Sequence, residues 1–273
     1  STNQYAKSSV RDYSFNSNGL GTNKTSTQST ATSGTKHTGY VVDKAGNINS
    51  CDTTIKLDGT NPLAGTVTMR KNNSSGTVIS DDAKVNTNVY VTLNDGKDTG
   101  SIASGHYTTK YTVKKDGTNV TTDATGSNTY SAEGVYTVIV TTTDNSGRTS
   151  TNNYTFMIDK TKPVCGASST FSSWINTDRT TSVACSDTGS KCTQSSFSQT
   201  FTSTAATGSI TIYDVAGNSN TCTVDVKVDK VKPSCGTATA VSTWVNTDRT
   251  ISIGCSDANS KCSTATFSNT FTK

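Results

Sequence analysis

Internal repetition constrains this chain more than any other feature. Residues 165–203 and 235–273 align without a gap at an offset of 70, and more than half of the aligned positions are identical. Trp174 and Trp244 occupy equal positions in the two copies. Repetition at a fixed offset is typical of arrays in which each repeat is one small unit of secondary structure. The sequence therefore predicts tandem modules rather than one large domain.

A second repeated element occurs three times, in residues 40–62, 141–163 and 213–233. In each copy a turn aspartate precedes a glycine by three residues, a junction aspartate follows at a constant spacing, and a proline comes four residues after that. The turn aspartates are Asp43, Asp144 and Asp214; the junction aspartates are Asp58, Asp159 and Asp229; the prolines are Pro62, Pro163 and Pro233.

This element predicts a β-hairpin followed by a domain boundary. The glycine suits a turn that needs positive φ, and the run after it alternates polar and apolar residues with a period of two. Proline lacks an N–H group and does not sit inside a central strand. The predicted domains are a partial repeat at 1–61, in which 1–39 have no assigned role, a cysteine-free domain at 62–162, a small disulfide-stapled repeat at 163–232, and a partial copy of it at 233–273.

Composition places the chain among all-β proteins. Thr and Val favour pleated strands, while Gly, Asn, Asp and Ser favour turns. Charged residues make up 16% and the net charge is +4, which argues against both disorder of residues 40–273 and a nucleic-acid-binding surface. No apolar run is long enough for a transmembrane helix, so membrane insertion of this segment is not expected. In the cysteine-free domain the predicted strands are 65–70, 88–93, 110–115, 134–141 and 153–158.

The pattern D-x-x-G-N-x-x-x-C-x-x-x-V-x-V-D-x-x-x-P-x-C at 214–235 resembles the closing hairpin of hyalin-repeat-like and bacterial immunoglobulin-like domains. The resemblance covers about residues 40–273. It implies tandem immunoglobulin-like β-sandwich repeats in a bacterial surface protein or adhesin, where such repeats form a stalk. Fold alone does not determine function.

Eight cysteines are present, none in a C-x-x-C pair and none near either histidine, so disulfides are favoured over zinc. The four in the 163–232 repeat allow three connectivities. The short turn-forming loop CSDTGSKC favours Cys185–Cys192, and the repeat extends this to Cys255–Cys262. The resemblance implies Cys165–Cys222. A long bridge of that kind would stabilise a short sandwich that buries little apolar surface.

Cys51 and Cys235 lack partners by the same repeat logic. Either the chain is a window from a longer array, or a Cys51–Cys235 bond between chains joins subunits into a filament.

Several other residues are candidate sites. The repeated tryptophans are interpreted as core or rim packing residues. Asp178 and Arg179, which recur in the second copy, are interpreted as turn and strand-edge residues, since exposed ion pairs stabilise little. No cofactor is expected. Calcium is kept as an alternative at Asp58, Asp159 and Asp229 with help from the turn aspartates, although calcium needs six to eight oxygen ligands.

The functional prediction is an extracellular or cell-surface stalk and not an enzyme, because no nucleophile–base motif or phosphate loop occurs. Its partners would be neighbouring repeats or identical subunits. Two alternatives stay open: a filament or virion-appendage subunit assembled by inter-chain complementation, and an adhesive module that binds host glycan or protein.

Overall fold

The computed structural model of the chain describes residues 29–42, 45, 47–240 and 242–273. Nineteen strands and no helix occur among these residues, so the predicted all-β class is confirmed. No helix long and apolar enough to cross a membrane occurs in the described part of the chain. The chain divides into two compact units, residues 1–83 with 87–158 and residues 84–86 with 159–273. The finer division into four domains stays a prediction.

The first unit begins, among the described residues, with an antiparallel hairpin of β1 (Thr32–Val42) and β2 (Ile48–Leu57). Its register pairs Val42 with Ile48 across the turn. We call this pair of strands the N-terminal hairpin. The predicted turn residue Asp43 and residues 1–28 lie outside the described residues, and so does the side chain of Cys51.

Two sheets follow and form the large sandwich. One has the strand order β4-β3-β6-β9 and the other the order β5-β11-β10-β7-β8. The strands are β3 (Thr66–Lys71), β4 (Val78–Ile79), β5 (Ala83–Val85), β6 (Val89–Asn94), β7 (His106–Lys115), β8 (Thr118–Ala124), β9 (Ser127–Tyr130), β10 (Gly134–Asp144) and β11 (Thr149–Ile158). Each of the five strands expected here is present, within a residue or as part of a longer strand.

Strict alternation of burial builds the core of the large sandwich. Along β10, every second side chain from Tyr136 to Val140 is buried while its neighbours face outward, as a pleated strand with one covered face requires. Tyr130 on β9 lies 5.4 Å from Tyr136 and 6.2 Å from Phe156 between ring centroids, so the aromatic rings join the two sheets.

The second unit contains the disulfide-bonded sandwich. A sheet of β12 (Val164–Ser168), β13 (Arg179–Ser186) and β14 (Ser196–Phe201) faces a hairpin of β15 (Ala205–Tyr213) and β16 (Ser219–Val228). The buried core between them is small and consists of one valine from β13 and the inward residues of the hairpin: Val183, Ile210, Ile212, Cys222, Val224, Val226 and Val228.

A C-terminal sheet repeats the first half of this sandwich. Its strands are β17 (Ser234–Ala238), β18 (Arg249–Ser256) and β19 (Thr266–Phe271). Cys235 pairs with Cys255 in the register that Cys165 and Cys185 adopt in the first copy. Apolar side chains that are covered by the hairpin in the first copy are exposed here, including Ile253 and Phe267.

Candidate functional site

The three junction aspartates adopt the same local turn. In each, one carboxylate oxygen accepts a hydrogen bond from the backbone N–H two residues later, which is the Asx turn that aspartate favours in loops. The acceptor–donor pairs are Asp58 Oδ1 with Thr60 N at 2.9 Å, Asp159 Oδ1 with Thr161 N at 3.1 Å, and Asp229 Oδ1 with Val231 N at 3.0 Å. All three aspartates are buried.

The second oxygen of each junction aspartate binds a loop that lies further along the chain. It accepts a hydrogen bond from a serine backbone N–H in a loop of that module: Ser104 N at 2.8 Å from Asp58, Ser190 N at 2.6 Å from Asp159, and Ser260 N at 3.0 Å from Asp229. Hydrogen bonds to a charged acceptor are stronger than neutral ones. The aspartate therefore ties the backbone before the proline to that loop.

The closing hairpin returns to the same junction. Four residues after the turn aspartate, Arg148 donates its Nε to the Asp58 carbonyl at 3.0 Å, and Asn218 donates its Nδ2 to the Asp159 carbonyl at 2.8 Å. Asn220 donates to the Pro163 carbonyl at 2.9 Å. Backbone carbonyls at the first two proline junctions therefore accept hydrogen bonds from the closing hairpin further along the chain.

Two clusters of three carboxylates result from this arrangement. Asp58 meets Asp98 and Asp144, and Asp159 meets Asp187 and Asp214; in each cluster one oxygen from each residue lies within 4.8 Å of the others. The calcium alternative named the junction and turn aspartates, which the structure brings together. Asp229 belongs to no such group among the described residues.

Sequence reasoning missed the third acid of each cluster, Asp98 and Asp187. Both start the same D-T-G-S tetrapeptide, at 98–101 and at 187–190. That shared tetrapeptide was a usable signal, but it is short and lies in loops. Neither strand alternation nor a turn motif in the sequence predicts that these loops lie next to the junction aspartates in the fold.

Hydrogen bonding lowers the pKa of two junction carboxyls, Asp58 and Asp229. The backbone N–H of Thr60 is the main cause that holds the pKa of the Asp58 carboxyl well below its usual range, and the N–H of Ser104 adds to it. The hydroxyl of Ser260, followed by its N–H, lowers the pKa of Asp229. Negative charge is therefore retained at these two junctions into the acid range.

The structure contains the disulfides Cys165–Cys222, Cys185–Cys192 and Cys255–Cys262. The first joins β12 to β16 and so links the two layers of the disulfide-bonded sandwich. The second closes the loop that carries Asp187. Cys235 is free and exposed.

The repeated Trp and Asp-Arg positions are not all as expected. Trp174 is half-buried, whereas Trp244 is fully exposed on the C-terminal sheet, so the packing interpretation fails for Trp244. Arg179 is buried, lies 4.1 Å from the Phe171 ring centroid, and donates to the Val226 carbonyl. It is a core residue with a cation–π contact, not a strand-edge residue.

No protein-family model and no curated protein sequence matches the chain. Three similar solved structures illustrate the level of likeness. Fibronectin(III)-like modules of Clostridium thermocellum CbhA are 12% identical, with 61% of this chain and 97% of that chain covered and a TM-score of 0.30. The tetra-tandem repeat in the extending region of a large adhesion protein is 15% identical, with 88% of this chain and 70% of that chain covered and a TM-score of 0.31.

The third is the Ca2+-stabilized adhesin that helps an Antarctic bacterium reach out and bind ice, which is 16% identical, with 81% of this chain and 65% of that chain covered and a TM-score of 0.28. At TM-scores this low we base no functional conclusion on the likeness. What characterises the chain is its own architecture: an all-β fold of several sheets with a buried aspartate near each proline junction.

Proposed function

We propose that the chain is the repeat region of an extracellular, adhesin-type surface protein of bacteria, in which it serves as a structural stalk. The observation that carries the proposal is the junction itself. At all three junctions the same aspartate hydrogen-bonds both the linker and a loop of the following module. A spacer needs connections of this kind, because independent linkers would let the modules swing.

The disulfides support the extracellular part of the proposal. Structural disulfides persist in oxidising compartments and are rare in the cytosol. The disulfide-bonded sandwich has a core of only seven buried residues, and two disulfides lie in it. Disulfides of this kind stabilise a module that buries little apolar surface.

Limited trypsin digestion tests whether the junctions are fixed. Proteolysis requires a locally unfolded backbone, so we expect trypsin to cleave the Lys230–Val231 bond when the junction around Asp229 opens. We expect the wild-type chain to resist cleavage after Lys230, and Asp229→Asn to be cut roughly tenfold faster or more, because the amide nitrogen cannot accept from Ser260 N. Fragment mass spectrometry gives the rate.

Asp123→Asn is the matched control, since Asp123 is an exposed aspartate on β8, and it should digest like the wild type. If wild-type chain were cut after Lys230 as fast as Asp229→Asn, the junction would be a flexible linker. The stalk proposal would then lose its basis.

A second candidate is the filament subunit, and one observation favours it. Cys235 is free and exposed at the position where Cys165 binds Cys222 of a covering hairpin. A hairpin with a cysteine at the matching position, such as β2 with Cys51, would complete the C-terminal sheet. Non-reducing peptide mapping decides this. A Cys51–Cys235 disulfide between chains supports the filament. If Cys51 and Cys235 are found only as free thiols or in disulfides within one chain, the filament is excluded.

A further inference from the structure

A buried carboxylate oxygen in the large sandwich has no hydrogen-bond partner. Asp144 is 1% exposed at the tip of β10. Its Oδ1 accepts hydrogen bonds from Ser146 N at 2.8 Å, Ser146 Oγ at 2.7 Å and Arg148 N at 2.9 Å. Its Oδ2 is buried and accepts none. A buried carboxylate oxygen without a donor is costly, and native structures provide such an atom with a partner.

The carboxylates that surround this residue add to the cost. One oxygen each of Asp58, Asp98 and Asp144 lies within 4.8 Å of the others. Asp58 accepts hydrogen bonds from the N–H groups of Thr60 and Ser104, which face its two oxygens. The guanidinium of Arg148 donates to the Asp58 carbonyl and to Asn61 Oδ1 rather than to a carboxylate of the cluster. Repulsion among the three carboxylates would destabilise the fold unless a positive charge lies between them.

The remaining lone pairs are available for such a charge. A carboxylate offers about four acceptor positions. Asp58 uses three, for Thr60 N, Thr60 Oγ1 and Ser104 N. Asp98 uses three, for Thr99 N, Ser104 Oγ and Gly105 N. These donors orient the two carboxylates, and each keeps capacity for one more ligand.

In the second cluster, both oxygens of the corresponding aspartate, Asp214, accept hydrogen bonds. Asp214 Oδ1 accepts from Gly217 N and Asn218 N, and its Oδ2 accepts from the Asn218 side-chain amide at 2.7 Å. The equivalent position in the first cluster is Arg148, whose side chain turns away to the Asp58 carbonyl. The exchange of asparagine for arginine therefore leaves Asp144 Oδ2 without a donor in the first cluster, whereas Asp214 Oδ2 has one in the second.

We infer that Asp58, Asp98 and Asp144 form a binding site for a hard divalent cation, calcium. Calcium binds carboxylate oxygens at about 2.4 Å, and one oxygen of each of the three residues lies within 4.8 Å of the others, so one ion between them can contact all three. All ligands are oxygens, and their irregular arrangement on three different segments suits calcium better than magnesium, which demands octahedral geometry. Water completes the coordination. Because the site joins Asp58 to the tip of β10 and the loop of Asp98, the ion would stiffen the junction that precedes the large sandwich.

Calcium titration with separate reporters tests the site. Both tryptophans lie in the second unit, whereas the core of the first unit contains Tyr111, Tyr130 and Tyr136. The full chain is stripped with EDTA, and calcium binding is measured by calorimetry. We expect one site with a Kd on the order of 10⁻⁴ M, typical of extracellular modules. Ten millimolar CaCl2 should raise the tyrosine-reported melting temperature by several degrees and leave the tryptophan-reported one unchanged.

Two variants localise the effect. Asp98→Asn should weaken calcium binding at least tenfold and abolish the shift. Asp144→Asn should do the same and also raise the melting temperature in EDTA, because it removes one of three crowded negative charges and the buried oxygen that lacks a donor. Asp214→Asn, the matched control, should keep the full calcium-dependent shift of the first unit. MgCl2 at the same concentration should give a smaller shift.

The inference is overturned if the wild-type chain does not bind calcium and its tyrosine-reported melting temperature does not change when calcium is added. It is also overturned if binding survives both Asp98→Asn and Asp144→Asn. Neither result bears on the trypsin test at Asp229, so the stalk proposal and the calcium site fail independently.

Discussion

Burial of Tyr130 makes the folding stability of the protein depend on pH in the alkaline range. Its ring is buried between Tyr136 and Phe156, and its hydroxyl donates to Thr121 Oγ1 at 2.9 Å. Desolvation is the main cause that raises the pKa of Tyr130 to about 12. An unfolded tyrosine titrates near pH 10. The unfolded chain therefore loses this proton first as the pH rises, and folding stability falls between about pH 10 and pH 12.

We expect Tyr130→Phe to remove part of this alkaline loss. Below about pH 9 the variant should be less stable than the wild type by about 1 kcal/mol, because one hydrogen bond is missing. Above pH 10 the difference should shrink. Tyr136 and Lys115 also have raised pKa values and leave a residual slope in both proteins. Urea denaturation followed by circular dichroism measures the free energy of unfolding of both proteins. A difference between them that stays constant from pH 8 to pH 11 would contradict the prediction.

The environments of individual side chains were the features hardest to predict from the sequence. The repeat drew attention to Asp178 and Arg179, but sequence spacing placed them together at a strand edge. In the structure Asp178 pairs with Lys230, while Arg179 turns inward over Phe171. Lys230 is distant from Asp178 along the chain. No local pattern carries information about a partner that only the tertiary fold brings near.

Among the elements, β14 and β15 meet at a position that requires glycine. Gly208 on β15 lies under the ring of Phe201 from β14, and a Cβ atom built on it would overlap Cε1 of that ring. Phe201 packs against the core of the disulfide-bonded sandwich. The backbone of Gly208 does not adopt a positive φ, so the reason for glycine is the ring and not the turn.

Gly208→Ala should destabilise the second unit by about 1–3 kcal/mol, since the ring must shift out of a packed site. Introducing Phe201→Leu first removes the aromatic ring, so the same alanine should then cost clearly less. Tryptophan fluorescence in a urea series gives both free energies of unfolding. Equal costs in the two backgrounds would mean that the contact between Gly208 and Phe201 is not the cause.

Strands with one buried face were predictable, and short or polar strands were not. The alternation in Gly134–Asp144 and Thr149–Ile158 is read directly from the sequence because each has a continuous apolar face. Strand β8, Thr118–Ala124, is almost entirely polar and exposed. Strand β4 has only two residues. Their pairing comes from neighbouring strands, so a single-strand pattern cannot reveal them.

At the scale of the whole molecule, covalent cross-links are distributed unequally. Seven of the eight cysteines lie in the second unit, which contains three disulfides, and the first unit has only Cys51. The first unit has larger buried aromatic side chains instead. The two units therefore rely on different sources of stability. The first buries large apolar side chains, and the second has disulfides that restrict its unfolded state.

Reduction should consequently destabilise only the second unit. The chain-entropy model gives about 4 kcal/mol for the Cys165–Cys222 bridge, whose sequence separation is 57, and about 2 kcal/mol for the Cys185–Cys192 bridge, whose separation is 7. Dithiothreitol should move the Trp174 fluorescence transition to lower urea and leave the tyrosine-reported transition in place. Loss of both transitions together, or of neither, would contradict this division.

The sequence by itself determined the repeats, the all-β class, the closing hairpins and the proline junctions, because these depend on period, turn chemistry and spacing along the chain. Only the tertiary structure decided which loops return to a junction. Asp98 is far from both Asp58 and Asp144 along the chain, yet the three carboxylates converge. The same holds for the unpartnered Oδ2 of Asp144, since a donor is present or absent according to where Arg148 points. Convergence across long sequence separations depends on packing, and packing is a property of the folded chain.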